Sequence, residues 1–362
     1  MKKKNGELKM KIKLAILEKD SGYLNRIVAV FGTRYADKFQ IYSFTDPQMA
    51  LSSVNSEKVD VLIANESFDL DLTQLPKRCS LAYFVDSMDI DSVNGQHAIC
   101  KYQKAELIYK QVLGIFSENA GRFTDLRLTD EDCVIYTFSS PCGGTGTSCA
   151  AVGCAMRFAS LGKRVLYLNF NAFDSTDLFF SGEGQFCMSD VIFSVKSKKA
   201  NIAMKLESYV KQDASGVFFF SQPNFALDML ELHHEEKLQL LKELKIIGAY
   251  DCIILDHDFG IDKQHMDFYK KSGYVIMVSD GSERANIKIQ RAYTALAMTD
   301  QNSDVPIAGN FVMMYNRFGS KNGQMLPGSD IRSLGGIPVI ANATSRQIAS
   351  QIMNSNIFDS LD

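Results

Sequence analysis

The 362-residue sequence lacks an excess of positive charge, a CxxC cysteine pair and a long apolar run. Its formal net charge of −3 at pH 7 argues against nucleic acid as a partner and leaves only local basic patches for such contacts. The eight cysteines are scattered, which predicts reduced thiols in a cytoplasmic protein rather than disulfides or structural zinc. No apolar run reaches membrane-spanning length, so we expect membrane contact only through a partner.

Apolar segments of strand length alternate with helical patterns, and the chain is long enough for two domains. The strand segments are continuously apolar, which is typical of parallel sheets with helices on both faces. The sequence therefore predicts two doubly wound α/β domains. We expect the first domain at 1–119, a polar linker at 120–131 and the second domain at 132–362.

The first domain is predicted to contain five strands, with helices after the first, second and last of them. The strands are expected at 12–17, 40–44, 59–64, 81–86 and 97–101. The connections at 66–80 and 88–95 carry little helix signal.

Polar residues at the strand ends of this domain form a familiar pattern. Glu18, Asp20 and Lys101 stand where response-regulator receiver domains keep an acidic pair and a lysine, so the domain resembles a flavodoxin-like receiver. Asn65 occupies the phosphoacceptor position, and an amide lacks the carboxylate that forms an acyl phosphate, so no phosphotransfer is expected. Tyr102 replaces the usual proline after the lysine. The resemblance implies an atypical receiver that serves as a docking surface, and the alternative is a plain flavodoxin-like sheet without signalling ancestry.

A glycine loop without a lysine follows the first strand of the second domain. The stretch PCGGTGTS at 141–148 lies between an apolar strand and a helix of small residues, which is the context of a phosphate-binding loop. Gly143, Gly144 and Gly146 allow backbone N–H groups to converge on phosphate oxygens, and the following helix adds its positive end. The alternative is a small-residue turn that packs a helix closely on a sheet.

Further polar residues stand at the ends of later apolar strands. Asn169 and Asn171 end the second strand of this domain, Asp256 ends another, and Asn316 with Arg317 ends a third. Together with the glycine loop, this order resembles the ParA/MinD superfamily of deviant-Walker P-loop ATPases. Within it, the chain is most similar to the TadZ/CpaE-type pilus-localisation proteins, which carry an atypical receiver before the ATPase domain.

In this resemblance, several residues that accelerate ATP hydrolysis in the ParA/MinD superfamily are replaced in the present sequence. Cys142 stands at the family's signature lysine and Thr147 at the lysine inside the loop. Asn169 and Asn171 replace the family's paired aspartates, and Asn171 takes the position of the catalytic one. The resemblance therefore implies a protein that is at most a slow ATPase.

By the same resemblance, this sequence keeps the residues that bind nucleotide and Mg²⁺ in the superfamily. Ser148 and Asp256 match the magnesium-binding hydroxyl and carboxylate, Gly260 matches the switch glycine, and Asn316 matches the residue that reads adenine. The candidate nucleotide-binding residues are Gly143, Gly144, Thr145, Gly146, Thr147, Ser148, Cys149, Asn316 and Arg317. The expected cofactors are ATP and Mg²⁺.

The function implied by the resemblance is that of an ATP-binding, weakly or negligibly hydrolytic localisation or scaffold factor for a Flp-type (Tad) pilus or secretion assembly. It would form a homodimer through the nucleotide domain and dock pilus or secretion machinery, or a polar marker protein, through the receiver-like domain. A cytoplasmic protein recruited to a cell pole or the inner membrane face is expected.

Three alternatives stay open at this point. A true ATPase switch would need replacement basic residues, such as Lys163, Arg164 or Arg284. A nucleotide-free scaffold and a ParA-like DNA segregation protein are the others, and the acidic balance disfavours the last. His233 and His234 are adjacent on a predicted helix and are expected to face solvent rather than a metal.

Overall fold

Mainly parallel sheets organise the chain, one in each of two structural units, which confirms the predicted α/β fold. The computed structural model describes residues 11–119, 133–197, 201–300, 306–319, 323–326 and 330–361. The N-terminal unit comprises Met1–Arg127 with Lys198–Ser208, and the C-terminal unit comprises Leu128–Ser197 with Tyr209–Asp362.

The described part of the N-terminal unit begins with six strands and three helices. The strands are β1 Ile12–Leu17, β2 Phe39–Phe44, β3 Val61–Asn65, β4 Ser80–Val85, β5 Ser92–Val93 and β6 Gln96–Cys100, and the helices are α1 Ser21–Arg34, α2 Pro47–Ser56 and α3 Ala105–Asn119. The sheet order is β2-β1-β3-β4-β6-β5, with β5 antiparallel to β6. Leu14, Ile16 and Ile63 are fully buried under α1 and α3, and α2 packs on the opposite face of the sheet.

The two connections with little helix signal contain no α-helix, as predicted. After β3 the chain forms a short 3₁₀ turn at Leu72–Gln74, and after β4 the strand β5 folds back on β6. The receiver-like unit therefore lacks α-helices on these two crossovers.

The C-terminal unit carries the remaining strands and most of the remaining helices. The strands are β7 Val134–Ser139, β8 Val165–Asn169, β9 Lys211–Gln212, β10 Phe218–Phe219, β11 Cys252–Asp256, β12 Tyr274–Ser279, β13 Phe311–Tyr315 and β14 Arg332–Gly336. The helices of this part of the chain are α4 Thr147–Ser160, α5 Met188–Lys196, α6 Ile202–Tyr209, α7 Ala226–Glu231, α8 His234–Ile247, α9 Lys263–Lys271, α10 Glu283–Asp300 and α11 Ser345–Met353.

The sheet order β14-β13-β12-β7-β11-β8-β10-β9 places the polar strand ends side by side. Because β7, β11 and β8 are adjacent and parallel, their carboxyl ends meet at one edge of the sheet. Helix α4 starts at that edge and packs closely against α11. A Cβ atom at Gly153 would lie 2.6 Å from Cγ2 of Ile352, so this approach requires glycine.

The last strand differs from its predicted position. The segment 335–343 is predicted as a strand, whereas β14 covers Arg332–Gly336. Ile337 still donates its N–H to the carbonyl of Tyr315, at 2.8 Å. Pro338 follows without an N–H group, and proline cannot continue a hydrogen-bonded ladder.

Most of helix α6 belongs to the N-terminal unit, although it lies between two segments of the C-terminal unit. The hydroxyl of Tyr109 donates to Oε1 of Glu207 at 2.7 Å, and Nζ of Lys38 lies 3.1 Å from the same oxygen. Met204 packs against the core formed by α1, α3 and the sheet. Burial, followed by the Glu207 carboxylate, raises the pKa of Tyr109. The N-terminal unit is thus built from two separate segments of the chain, and the second of them contains most of α6.

Candidate functional site

The glycine loop joins β7 to α4 in the predicted strand, loop and helix order. Gly144 has φ +78° and Gly146 has φ +79°, and both values lie in the left-handed region that favours glycine. Gly146 is the N-cap residue of α4, whose fourteen residues provide a positive N-terminal end next to the loop. The loop therefore has the two left-handed glycines and the helix N-terminus that the predicted phosphate loop requires.

Two side chains from the end of β13 hold this loop in place. Nδ2 of Asn316 donates to the carbonyl of Thr145 at 2.8 Å, and Nη1 of Arg317 donates to the carbonyl of Gly144 at 3.1 Å. Asn316 is only 2% exposed. A Cβ atom at Gly146 would collide with the amide of Asn316. Adenine recognition by Asn316 stays a prediction, and its amide nitrogen already bonds to the loop.

Cys142, which stands where the resemblance expects a lysine, lies in the core of the C-terminal unit. Cys142 is 8% exposed, and its thiol donates to the carbonyl of Ala285 at 3.7 Å. Burial raises the pKa of this thiol and also that of Cys149, which donates to the carbonyl of Ser345 at 3.9 Å. Both cysteines therefore serve packing and are not activated nucleophiles.

Asp256 and Ser148, the two residues predicted to bind magnesium, lie within hydrogen-bond distance at the end of β11. Asp256 is 1% exposed, and burial raises its pKa. Hydrogen bonds from Ser148, Tyr167 and Asn171 oppose that shift, and the Tyr167 hydroxyl lies 2.9 Å from Oδ2. A carboxylate beside a hydroxyl fits Mg²⁺, which prefers oxygen ligands and takes few of them from the protein.

The described residues contain no group of three His, Cys, Asp or Glu side chains that could hold a metal ion. This result is compatible with Mg²⁺ bound by one hydroxyl, one carboxylate, phosphate oxygens and water.

Asp174 is a carboxylate of this site that the sequence analysis missed. Its Oδ1 accepts hydrogen bonds from Nδ2 of Asn169 at 2.8 Å and from the Thr176 N–H and hydroxyl at 2.8 and 2.6 Å. Asn169 in turn accepts the N–H of Asn171 at 2.9 Å. Burial raises the pKa of Asp174 to about 6, and the nearby Asp256 contributes to that shift. Asn169 therefore orders the loop after β8 through a buried acid.

Replacing Asp174 by asparagine should flatten the pH dependence of stability. With a folded pKa of about 6 and an ordinary value of 3.8, the folded protein holds this proton more tightly than the unfolded chain. Wild-type stability therefore falls as pH rises from about 4 to 6. We expect the D174N variant to be more stable than wild type by about 2–3 kcal/mol at pH 7.5, with no difference near pH 4.

Urea unfolding at both pH values measures this difference between D174N and wild type. The control is Asp91→Asn, at an exposed carboxylate of the N-terminal unit, which we expect to change stability little. Equal stability of D174N and wild type at pH 7.5 would contradict the assignment.

Two of the basic residues considered as replacements for the lysines lie far from the loop. Lys163 and Arg164 precede β8, at the edge of the sheet opposite the loop, and Arg164 pairs with Asp251 at 2.7 Å. Arg284 lies close enough to Cys142 for its charge to oppose the rise that burial causes in the pKa of this thiol. Of the three, only Arg284 is near the loop, and Arg317 contacts the loop directly.

The receiver-like site in the N-terminal unit is a closed hydrogen-bond network. Nδ2 of Asn65 donates to both carboxylate oxygens of Glu18, at 2.8 and 3.0 Å, and Oδ1 of Asn65 accepts the Ser67 N–H at 3.0 Å. Nζ of Lys101 lies 3.7 Å from Glu18 and 2.8 Å from Asp86. Glu18 is 1% exposed. The cluster holds a lysine, two acids and an amide at the phosphoacceptor position.

Comparison with known proteins identifies the family of the domain in the N-terminal unit. The sequence of residues 10–117 matches the family model described as TadZ-like, receiver domain. Residues 10–117 form a TadZ-like receiver domain. Among curated proteins, none matches the chain significantly.

Solved structures of ParA and MinD proteins resemble the remainder of the chain. A ParA family ATPase from Chlorobium tepidum is 18% identical with a TM-score of 0.51, and the match covers 64% of this chain and 98% of that one. The MinC:MinD complex of Aquifex aeolicus is 18% identical with a TM-score of 0.47, and the match covers 63% of this chain and 96% of that one. The likeness to the ParA family ATPase shows that the C-terminal unit shares its fold.

The TadZ-like receiver domain differs from the predicted site in its acidic residues. Asp20 does not join the cluster, because its side chain caps α1 by accepting the N–H groups of Gly22 and Tyr23. Asp86, which follows β4, pairs with Lys101 in its place. The sequence offered one signal for Asp86, since it lies at the carboxyl end of a strand adjacent to β6.

Proposed function

We propose that the protein binds ATP with Mg²⁺ at the glycine loop, hydrolyses it slowly or negligibly, and acts as a dimeric localisation or scaffold factor for a Flp-type (Tad) pilus or secretion assembly. One observation supports the nucleotide-binding part of this proposal. The loop, its clamp by Asn316 and Arg317 and the Ser148–Asp256 pair are intact, whereas Cys142 and Asn171 supply no charge.

The residues of the loop would bind the phosphates through backbone donors. Gly144 and Gly146 adopt the left-handed conformation that allows backbone N–H groups to converge on phosphate oxygens, and the N-terminus of α4 favours negative charge beside them. Ser148 and Asp256 would hold Mg²⁺, which neutralises phosphate charge when bound. Arg317 adds a cation at the loop without entering the core.

We expect slow hydrolysis because Asn171 and Cys142 lack the chemical groups that accelerate phosphoryl transfer. Asn171 donates an amide hydrogen bond to Asp256 and cannot accept a proton from water as a carboxylate does. Cys142 is buried and neutral, so it presents no charge to the transferring phosphoryl group. Loss of one preorganised group costs about 3–4 kcal/mol in the barrier, which is about 100- to 1,000-fold in rate.

Equilibrium binding tests the nucleotide proposal directly. Isothermal titration of the full chain with ATP should show one site per chain that weakens when EDTA removes Mg²⁺. No ATP binding at millimolar concentration would support the nucleotide-free scaffold instead.

Replacing Thr147 by lysine is expected to tighten ATP binding by about 10-fold, since it adds a cation where the loop carries only hydroxyls. The matched control is Thr147→Gln, which adds similar length without charge and should leave the affinity near that of wild type. Titration of both variants measures the effect, and equal affinities of the two would show that this position does not face the phosphates.

The assembly part of the proposal rests on the TadZ-like receiver domain. A receiver without a phosphoacceptor carboxylate retains a surface for docking machinery or a polar marker protein. No described helix is long and apolar enough to cross a bilayer. We propose a cytoplasmic protein recruited to a pole or the inner membrane face by its partner. Sedimentation with and without ATP tests the homodimer, which should form or strengthen with ATP.

A second candidate, an active ATPase switch, is favoured by Arg317 at the loop and Arg284 near Cys142. In that case Arg317→Ala would lower the hydrolysis rate by about 100-fold or more. In the proposed slow ATPase, the same change would mainly weaken binding.

A further inference from the structure

A tyrosine on the neighbouring strand holds the carboxylate of Asp256. The hydroxyl of Tyr167, in β8, donates to Oδ2 of Asp256 at 2.9 Å. In the register of β8 and β11, Tyr167 lies opposite Ile254, which precedes Asp256 by two residues. Side chains two residues apart share one face of a strand, and an aromatic side chain is long enough to reach such a diagonal neighbour. The register of the two strands therefore brings the hydroxyl to the carboxylate.

Packing fixes the direction of this hydroxyl. Tyr167 is fully buried in the core that lies between the sheet and α4. The centroid of its ring lies 5.3 Å from that of Phe180. Side chains in a close-packed core occupy defined rotamers, and a buried tyrosine hydroxyl requires a hydrogen-bond partner. Tyr167 therefore presents its only polar side-chain atom to Asp256 in one orientation.

Tyr167 differs from the other two side chains that donate to Asp256. Those donors are Ser148 and Asn171, which belong to the predicted magnesium and catalytic positions of the site. Tyr167 lies in the core instead, and its hydrogen bond engages one of the two carboxylate oxygens. A hydrogen bond to a carboxylate is stronger than one between neutral groups, so this bond restrains the rotation of the carboxylate. Any effect of Tyr167 on Mg²⁺ binding thus passes through Asp256.

We propose that Tyr167 is a positioning residue, which orients the carboxylate of Asp256 for Mg²⁺ binding. This inference rests on the proposed function, because it assigns a further residue to the same magnesium site. Carboxylates that bind metals are themselves held by hydrogen bonds, and removal of such a partner typically lowers metal affinity by about 10- to 100-fold. The hydroxyl of Tyr167 is such a partner, since it holds Oδ2 from within the core.

Replacing Tyr167 by phenylalanine removes the hydroxyl and keeps the ring. Isothermal titration of the full chain with ATP, once with Mg²⁺ and once with EDTA, gives the factor by which Mg²⁺ tightens ATP binding. We expect this factor to be about 10-fold smaller in Y167F than in wild type, while the ATP affinity measured with EDTA stays unchanged. A purely structural role of Tyr167 would instead weaken ATP binding under both conditions.

The matched control is Tyr136→Phe. Tyr136 lies in β7, on the other side of β11, and its buried hydroxyl donates to the carbonyl of Leu361 at 2.9 Å. The control therefore removes a buried hydrogen bond of equal length that does not involve Asp256, and we expect Y136F to keep the wild-type Mg²⁺ factor. Circular dichroism checks that both variants fold. If Y167F does not, Tyr167→Leu removes the same donor and is expected to show the same loss.

The effect of Y167F should also depend on the presence of the carboxylate. In the Asp256→Asn background, adding Y167F should change the Mg²⁺ factor by less than about 2-fold, because the group that Tyr167 orients is absent. A wild-type factor in Y167F, an equal loss in Y136F, or a further loss of about 10-fold in the D256N background would overturn the proposal. No ATP binding by the wild-type chain would overturn the proposed function, and this positioning role with it.

Discussion

Replacing Gly146 by alanine is expected to abolish detectable ATP binding and to lower the free energy of unfolding by about 2–3 kcal/mol. Gly146 has φ +79°, which alanine adopts only with strain. Its new methyl group would also collide with the amide of Asn316 and displace it from the carbonyl of Thr145. The change therefore removes both the loop conformation and the clamp.

Titration with ATP and urea unfolding measure the two effects of G146A separately. Because the chain has no tryptophan, unfolding is followed by circular dichroism. The matched control is Gly309→Ala, since a Cβ atom there meets nothing within 4 Å and the residue has no positive φ. Wild-type ATP affinity in G146A would show that the loop is not the nucleotide site.

Replacing Asn65 by aspartate is expected to destabilise the TadZ-like receiver domain by about 3 kcal/mol at pH 7. Asn65 donates to both oxygens of Glu18, at 2.8 and 3.0 Å, in a site where Glu18 is 1% exposed. The substitution replaces this donor with a second carboxylate, and two carboxylates at that distance cannot both ionise without a large cost.

The loss of stability in N65D should be smaller at low pH than at high pH. The folded state would raise the pKa of the new carboxyl above its unfolded value, so the variant regains stability as pH falls through the folded pKa. Urea unfolding at pH 5 and pH 8 should show the smaller deficit at pH 5. The control is Asn94→Asp in the exposed turn before β6, and a deficit in N65D no larger than in N94D would contradict the network.

Much of the fold follows from local signals in the sequence. The continuous apolar runs that became β1, β3, β7 and β11 are long enough to define parallel strands, and glycines with a following helix of small residues defined the loop. The resemblance to the ParA/MinD ATPases assigns Asp256 and Ser148 to magnesium, and the two residues lie together because β7 and β11 are adjacent parallel strands whose carboxyl ends share one edge. These features depend on residues close together in the chain or on a general rule of sheet topology.

What the sequence did not reveal depends on long-range packing. Asp174 reaches Asn169 through a loop with no regular period, and helix α6 joins the N-terminal unit through Glu207, which is far in sequence from Tyr109. The burial of His234 depends on its contact with Phe268 of α9. Hydrophobic periodicity reports which face of an element is buried, but not which distant element covers it.

The measurement that tests the central claim most directly is single-turnover hydrolysis of ATP by the full chain with saturating Mg²⁺. The substrate is radiolabelled and limiting, and gel filtration of a parallel sample establishes that it is bound. We predict bound ATP that is cleaved more slowly than about 0.01 per second, far below the 1–1,000 per second of typical enzymes. Cleavage faster than about 1 per second, or the absence of bound ATP, would contradict the account.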